Sequence, residues 1–406
     1  MSHTGRAVVI GGGIGGLTAA AALCRHGWQV TVLERAASLE PAGAGISLAP
    51  NALRALDAIG IGEEIRDLAA WQGDGGLRTP GGRWLSRSSA DAAAARFGGP
   101  LVLLHRSRLV ALLAARVPRD AVRTGAEATL ADPGDAGRPA RVRTPDGEWE
   151  ADLVVAADGI HSAVRRALFP EHPGPVYSGF TTWRIVVPVP GADFAPHETW
   201  GRGSIWGTQP LKDGRVYAYA AALAPAGERA PDDERSELLR RFGDWHDPVP
   251  AVLAATRPED VLRHDVHHLA EPLPAFHRGR VALVGDAAHA MPPMLGQGGN
   301  QAVEDAVVLA LLHSGPGPGG GAPGGDGLAA YTAARLPRTT AIVRRSVSAA
   351  RLNLMSNRAA IALRDTAIAA LSRAVPGLLL RGFDPVAGWR PPRQPYASGS
   401  TPAGEG

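Results

Sequence analysis

Arg6-Ala7-Val8-Val9-Ile10-Gly11-Gly12-Gly13-Ile14-Gly15-Gly16, continued by a helix-forming run to about His26, by Gly27 and by Trp28-Gln29-Val30-Thr31-Val32-Leu33-Glu34, decides the fold. The apolar residues 6–10 read as a buried strand, and Trp28–Leu33 as a second strand after the helix. Gly11, Gly13 and Gly16 satisfy G-x-G-x-x-G: a tight turn, close approach of backbone to a pyrophosphate, and contact of helix with strand. Glu34 follows Gly16 by 18 residues, near the spacing of about 20 at which an acid meets a ribose 2′-hydroxyl. Strand, glycine turn, helix, strand and acid together predict dinucleotide binding, and the acid favours FAD or NAD over a 2′-phosphorylated cofactor.

A second organised stretch lies far along the chain. Val281-Ala282-Leu283-Val284 reads as a buried strand that stops at Gly285-Asp286, and Gly298-Gly299-Asn300 opens a run of good helix formers. Pro293 and Gly296 lie in the loop between. This layout puts a carboxylate at a strand's C-terminal end and free backbone N–H groups at a helix N-terminus, where an anion or electron-rich ring edge is favoured. Asp152–Gly159 supplies a third strand, ending in Asp158-Gly159.

At 406 residues the chain exceeds one typical domain. A formal charge of +3 with no basic tract argues against nucleic acid. Nearly all basic residues are Arg, with Lys212 the single lysine. Cys24 is the single cysteine, which excludes an intrachain disulfide or multi-cysteine metal site and fits a cytoplasmic location. Residues 7–24 superficially resemble a secretion signal, but the downstream sequence completes the nucleotide-binding unit. No stretch is long and clean enough to span a bilayer, so no membrane partner is expected.

Between these anchors, residues 43–60 read as a glycine loop followed by a helix opening near Pro50 or Asn51. Residues 71–100 read as irregular, Arg106 begins a helix, and residues 121–152 form a polar hairpin region. Residues 177–225 are strand-rich with interleaved aromatics, and alternation places Tyr217 and Tyr219 on one face. His264 and His268 share one strand face while Asp265 and His267 share the other, so no metal site is expected. Residues 314–328 read as a mobile loop, helices follow to about Leu380, and a poorly ordered tail starts at Asp384.

The glycine loops and the acids Glu34, Asp158 and Asp286 together resemble the single-component FAD-dependent aromatic hydroxylases, the para-hydroxybenzoate and salicylate hydroxylase superfamily, over roughly residues 6–350. Within it the chain looks most like the branch with salicylate, 6-hydroxynicotinate and urate hydroxylases. The resemblance implies an α/β, Rossmann-like FAD-binding domain (1–72, 101–176 and 265–350) interleaved with a β-sheet substrate domain (73–100 and 177–264), then C-terminal helices (351–383) and a tail (384–406). It implies that Gly11, Gly13, Ile14, Gly15, Gly16, Glu34 and Arg35 hold the ADP half of FAD. Gly45 and Ile46 would lie beside the flavin, with Arg106 contacting it. Asp158 would serve FAD and NAD(P)H binding, and Asp286 the ribitol and pyrophosphate. Pro293, Gly296, Gly298, Gly299 and Asn300 would border the isoalloxazine ring.

The implied reaction is hydroxylation of an aromatic, heteroaromatic or polyketide-like ring. NADH or NADPH binds transiently, and O2 forms a flavin C4a-hydroperoxide in a dry pocket. Epoxidation, oxidative decarboxylation and plain flavin reduction remain as alternatives, and the protein is expected as a monomer or homodimer. The chain departs from these relatives where the substrate is decided. Ser47 stands where the 6-hydroxynicotinate enzymes carry a functional His, and Ser204-Ile205-Trp206 lacks the Arg of the urate enzymes. Arg184 is a candidate for a substrate carboxylate or phenolate, or a surface ion pair. Tyr217 is a candidate for a substrate phenol, or a core residue. His105, His161 and His289 read as structural.

Overall fold

The computed structural model describes residues 5–39, 45–69, 75–191, 193–314, 326–375 and 381–392. Two sheets carry it. In the first, the strand order is His277–Arg278, Val281–Leu283, Leu153–Ala156, Arg6–Ile10, Gln29–Leu33, Val122–Arg123. All pairs are parallel except the antiparallel edge pair at His277–Arg278. The three predicted acid-bearing strands fall within four consecutive parallel strands, so Glu34, Asp158 and Asp286 follow the same edge of one sheet. Ligands of open parallel sheets bind at that edge.

The second sheet has seven strands, ordered Leu262–His268, Val176–Pro188, Arg215–Leu223, Ser204–Pro210, His197–Trp200, Gly75–Arg78, Trp84–Ser88. Its back face packs Val216, Ala218, Ala220 and Ala222 against Leu238, Phe242, Val249, Val252 and Leu253, the buried sides of helices Glu234–Phe242 and Val249–Ala255. Asp233 caps the first of these by accepting from the Ser236 amide. The front face, carrying Tyr217 and Tyr219, meets Leu103 of the Gly45–Leu48/Val102–His105 ribbon. A front face in contact with the first unit, rather than with solvent, is what makes a cleft between the two sheets.

Three expectations need correction. Residues 75–97 are regular: an antiparallel hairpin, Gly75–Arg78 with Trp84–Ser88, extends the second sheet, and helix Ala90–Phe97 follows. Short strands with only one apolar inward residue each (Leu77 and Leu85) leave little periodic signal. The strand Leu262–His268 runs across the boundary drawn between 264 and 265. The segment from Asp384 to residue 392 is anchored, not loose: Asp384–Ala387 is helical and Asp384 pairs with Arg96. Arg54 donates to the carbonyl oxygens of Ala387 and Trp389, and Arg338 to those of Pro385 and Val386. Residues 315–325, the core of the predicted mobile loop, and 393–406 lie outside the described residues, while 326–328 already belong to helix Asp326–Asn353.

A buried polar cluster ties the late segments together. Arg335 donates to Asp305 Oδ1 at 2.7 Å, to Glu304 Oε2 at 2.5 Å and to Gln301 Oε1 at 2.8 Å. Arg338 donates to both oxygens of Glu304. Asn51 bridges Gln297 Oε1 and Glu304 Oε1. Asp305 Oδ2 accepts from the Gly285 amide at 2.9 Å and pairs with His289 Nε2 at 2.5 Å. Burial alone pushes the Asp305 carboxyl up, but the charges of His289 and Arg335 outweigh it and hold it at about 2. Because Glu304 and Asp305 are fully buried, removing Arg335 breaks a buried ion pair to each of them and leaves Glu304 to Arg338 and Asp305 to His289. Arg335→Ala is expected to cost about 3–5 kcal/mol, read as a lowered urea midpoint at unchanged slope.

His197 and His313 are buried and neutral: burial holds both at about 4. Their unfolded value is about 6.5, so between about pH 6.5 and 4 the unfolded chain takes up protons that the fold refuses. Stability is therefore full above about 6.5 and falls as pH drops toward 4. His313→Leu is expected to flatten that slope in urea titrations at successive pH values.

A cofactor cleft between the two sheets

The first glycine turn is built as the sequence requires. Gly11 has φ +105°, and a Cβ there would lie 2.4 Å from the Ala157 carbonyl oxygen. A Cβ on Gly16 would lie 1.9 Å from the Gly11 oxygen, so helix Ile14–Arg25 can begin this close to its strand only with glycine. Gly13 is different: a Cβ there meets nothing within 4 Å. Its bare backbone faces open space at the helix N-terminus. Gly15 serves packing, its Cβ direction facing Ala302 and Val284 at 3.3 Å. Glu34 accepts from the Gly12 amide at 2.6 Å and the Ala36 amide at 2.8 Å, which fixes its carboxylate against the turn. Arg35 is exposed.

The second strand end carries Asp158, whose Oδ2 accepts from the Val164 amide while its buried Oδ1 has no partner. Arg165, buried, donates to the carbonyls of Ile160 and Ala287 and so joins this loop to the third. There, Asp286 is exposed although Ala287 and Ala288 beside it are buried. The Cβ direction of Gly298 points at Asp286 Oδ1, 3.9 Å away. In helix Gly298–Ser314, the Gln301 amide donates to the Gln297 carbonyl. The amides of Gly298, Gly299 and Asn300 precede that bond and carry the helix's partial positive end. Asn300 is buried, and its side chain fastens the ribbon: Oδ1 accepts from the Ala49 amide, and Nδ2 donates to the Ser47 and Gly296 carbonyls. Gly296 turns the chain with φ +61°, after the short helix Pro293–Leu295.

These parts close on one another. A Cβ on Gly299 would lie 3.0 Å from Ile46 Cδ1 and 4.0 Å from Ile14 Cδ1, which joins the helix start to the ribbon and to the first glycine turn. Gly45 lies flat on the Tyr217 ring, a Cβ there falling 2.4 Å from it. Tyr217 is 8% exposed; burial pushes its phenol up, opposed by the positive charge of the nearby Arg184 guanidinium. Arg106, at the start of its helix, is solvent-accessible yet crowded by protein: burial pulls it down, the Asp286 carboxylate pushes up, and Arg184 pulls down. His264 is likewise lowered by burial and then by Arg184, Arg229, Arg263 and Arg106. Accessible side chains so deeply surrounded line the inside of a cleft. The side formed by the second sheet carries Arg184, and Asp286 is the acid whose charge acts on Arg106.

The residues present fit a dinucleotide: open space over Gly13, an unpartnered Asp158 oxygen, and first-turn amides beside Asp286. The FAD binding domain family matches residues 5–346. The chain belongs to that family, and within it to the FAD-dependent aromatic hydroxylases. It is 41% identical to the aurachin C monooxygenase/isomerase of Stigmatella aurantiaca, over 77% of this chain and 81% of that one. It is 36% identical to the FAD-dependent urate hydroxylase of Klebsiella oxytoca, over 76% and 81%. The Klebsiella pneumoniae HpxO structure complexed with FAD and uric acid aligns with TM-score 0.81 at 28% identity, covering 92% of this chain and 95% of that one. The chain is therefore an FAD-dependent monooxygenase of the para-hydroxybenzoate hydroxylase type. Among the described residues no helix is long and apolar enough to cross a membrane.

Sequence reasoning passed over Arg165, Arg335 and Asn51, whose work is buried and leaves no motif. It also left unassigned the front-face residues Tyr219, Glu198 and Gly207, although the alternation that placed Tyr217 placed Tyr219 beside it. The glycine geometry separates two roles experimentally. Gly16→Ala must displace backbone and is expected to lower both thermal stability and flavin content. Gly13→Ala is expected to change the stability of the flavin-free protein by only about 0.5 kcal/mol while weakening FAD binding severalfold, read by flavin fluorescence titration.

Proposed function

We propose that FAD lies along this cleft from Glu34 to Tyr217 and that the enzyme hydroxylates an aromatic, heteroaromatic or polyketide-like ring, using NADH or NADPH and O2. In this reading Gly11, Gly13, Ile14 and Gly16 receive the pyrophosphate, with Glu34 and Arg35 toward the adenosine. Asp158 and Asp286 take the linker, and Arg106 balances its charge. Gly45 and Ile46, with Pro293, Gly296, Gly298, Gly299 and Asn300, border the flavin ring. The observation that carries the reading is the run of first-turn amides at Gly298–Asn300, which precede the helix's first backbone bond, set beside Asp286 and next to Ile46 of the ribbon that meets Tyr217.

When bound, FAD would supply the redox chemistry, hydride acceptance from the nicotinamide and transfer of one oxygen atom of O2 to the substrate ring, with the other atom leaving as water. The chain's residues do the rest. The helix start at Gly298 favours negative charge on the adjoining ring edge. The Gly45 ribbon and the Tyr217 face exclude water from the reacting side. Arg184 and Arg106 draw an electron-rich or anionic substrate toward the sheet, where the ring is most open to an electrophilic oxygen. The single cysteine, Cys24, supports a cytoplasmic location.

A panel of phenols, aminophenols and heteroaromatic rings tests this. At least one compound should stimulate NADH or NADPH oxidation and gain the mass of one oxygen; oxidation without any such gain would leave a flavin reductase. Asp286→Ala is expected to reduce flavin occupancy of the purified protein on the order of tenfold. A fully yellow Asp286→Ala protein would remove Asp286 from the cofactor site.

A further inference from the structure

On the front face of the second sheet, backbone register sets Arg184 beside Tyr219, Tyr219 beside Gly207, and Gly207 beside Glu198. The Tyr219 ring lies across Gly207: a Cβ at that glycine would fall 2.1 Å from the ring carbon bearing the hydroxyl. Laid flat in this way, the side chain spans one strand and donates its hydroxyl proton to Glu198 Oε1 at 2.5 Å. The other Glu198 oxygen accepts from Trp200 Nε1 at 2.9 Å. Tyr219 is part-exposed, and its ring lies 5.7 Å from that of Tyr217. Burial, Glu198 and Tyr217 all push its phenol well up, with Gln209 alone opposing. It is therefore a neutral hydroxyl whose proton is already committed.

That commitment has a direction. An ionised carboxylate only accepts, and an indole N–H only donates. With Trp200 on one oxygen and Tyr219 on the other, Tyr219 has no proton left for a ligand and offers only its remaining lone pair. Arg184, on the adjoining strand, only donates. The two side chains thus present an acceptor next to a donor.

We propose that Glu198, acting through Tyr219, selects ring substrates that carry an N–H or O–H donor next to a carbonyl or oxyanion, the donor meeting Tyr219 and the oxygen meeting Arg184. This rests on the substrate side of the cleft being as described above. A cyclic amide edge or an ortho-hydroxycarbonyl edge satisfies both partners; a ring blocked at the donor leaves the Tyr219 lone pair unpaired and buried. Glu198 is then a positioning residue, and Tyr219 the residue in contact.

The test uses the FAD-loaded enzyme and two probes, quinolin-2(1H)-one and its N-methyl derivative, titrated by the change in flavin absorption. The wild-type protein should prefer the N–H compound by at least about tenfold, the loss expected when a buried acceptor goes unpaired. In Glu198→Gln, Trp200 claims the amide oxygen and the amide NH2 faces Tyr219, which turns the Tyr219 proton toward the cleft. The preference should fall below about threefold or reverse. Tyr219→Phe, which keeps the ring over Gly207, should abolish the preference while Glu198 is intact, and it covers the case in which Glu198→Gln fails to fold. A wild-type ratio near one, or an unchanged ratio in both variants, overturns the proposal. So does failure of both probes to bind an enzyme that hydroxylates simple phenols, an outcome that leaves the monooxygenase reading standing. Failure of every ring compound to gain oxygen would instead bring down that reading.

Discussion

The buried pairing of Arg335 and Arg338 with Glu304 and Asp305 is the constraint on which the cleft depends. Glu304 and Asp305 are consecutive residues of one helix, and Asp305 reaches back to the Gly285 amide while Glu304 reaches Asn51. One helix is thereby locked in rotation and in height against the turn that presents Asp286 and against helix Pro50–Ala58. A helix held only by apolar contacts, such as those of Ala302 with Gly15 and Gly285, could slide by a fraction of a turn at little cost. Buried charges that must meet named partners forbid this, because a displaced carboxylate in a dry interior is far costlier than an imperfect methyl contact. The amides at Gly298–Asn300 owe their position to a cluster that never touches the cleft.

The second sheet solves a different problem by similar means. Two tyrosines project from one strand, and each lies on a glycine of a neighbouring element: Tyr217 on Gly45, Tyr219 on Gly207. Glycine there removes the side chain that would hold the ring upright, so the aromatic plane lies parallel to the backbone it covers. The hydroxyls then point sideways along the sheet, toward Arg184 in one case and Glu198 in the other. Orientation of the polar tips follows from what is missing beneath the rings.

Much of the nucleotide-binding half was legible in the sequence because its geometry is local. Gly16 is forced by the Gly11 carbonyl a few residues before it and Gly11 by its own left-handed backbone, and Asp158 and Asp286 sit at ends of short, wholly apolar strands that read clearly as buried. The register of Tyr217 with Tyr219 followed from a period of two. What stayed illegible depends on partners distant in sequence. Nothing local marks Arg335 as buried, since an arginine in a helix reads as solvated until its two acids are seen to face it. The Gly75–Ser88 hairpin was hidden for a related reason: its strands are short and polar, and their place is set by the strand His197–Trp200 and by helix Arg358–Ala374, not by their own pattern. Glu34 closes the second strand, and its bonds to the Gly12 and Ala36 amides show a carboxylate that braces the turn itself, a task no sequence pattern marks.

The order of strands in the first sheet bears on how the polypeptide is made. Arg6–Ile10 is flanked by a strand from residues 29–33 and by one from 153–156, and the latter waits for Val281–Leu283. A ribosome delivering this chain from its N-terminus exposes the glycine turn long before its opposite wall exists, and pairings of such separation form slowly. The helix start at Gly298 and the turn at Gly285 are locked together through Arg335 and Arg338, so that wall settles only after residue 338 has emerged, later than every strand of the first sheet.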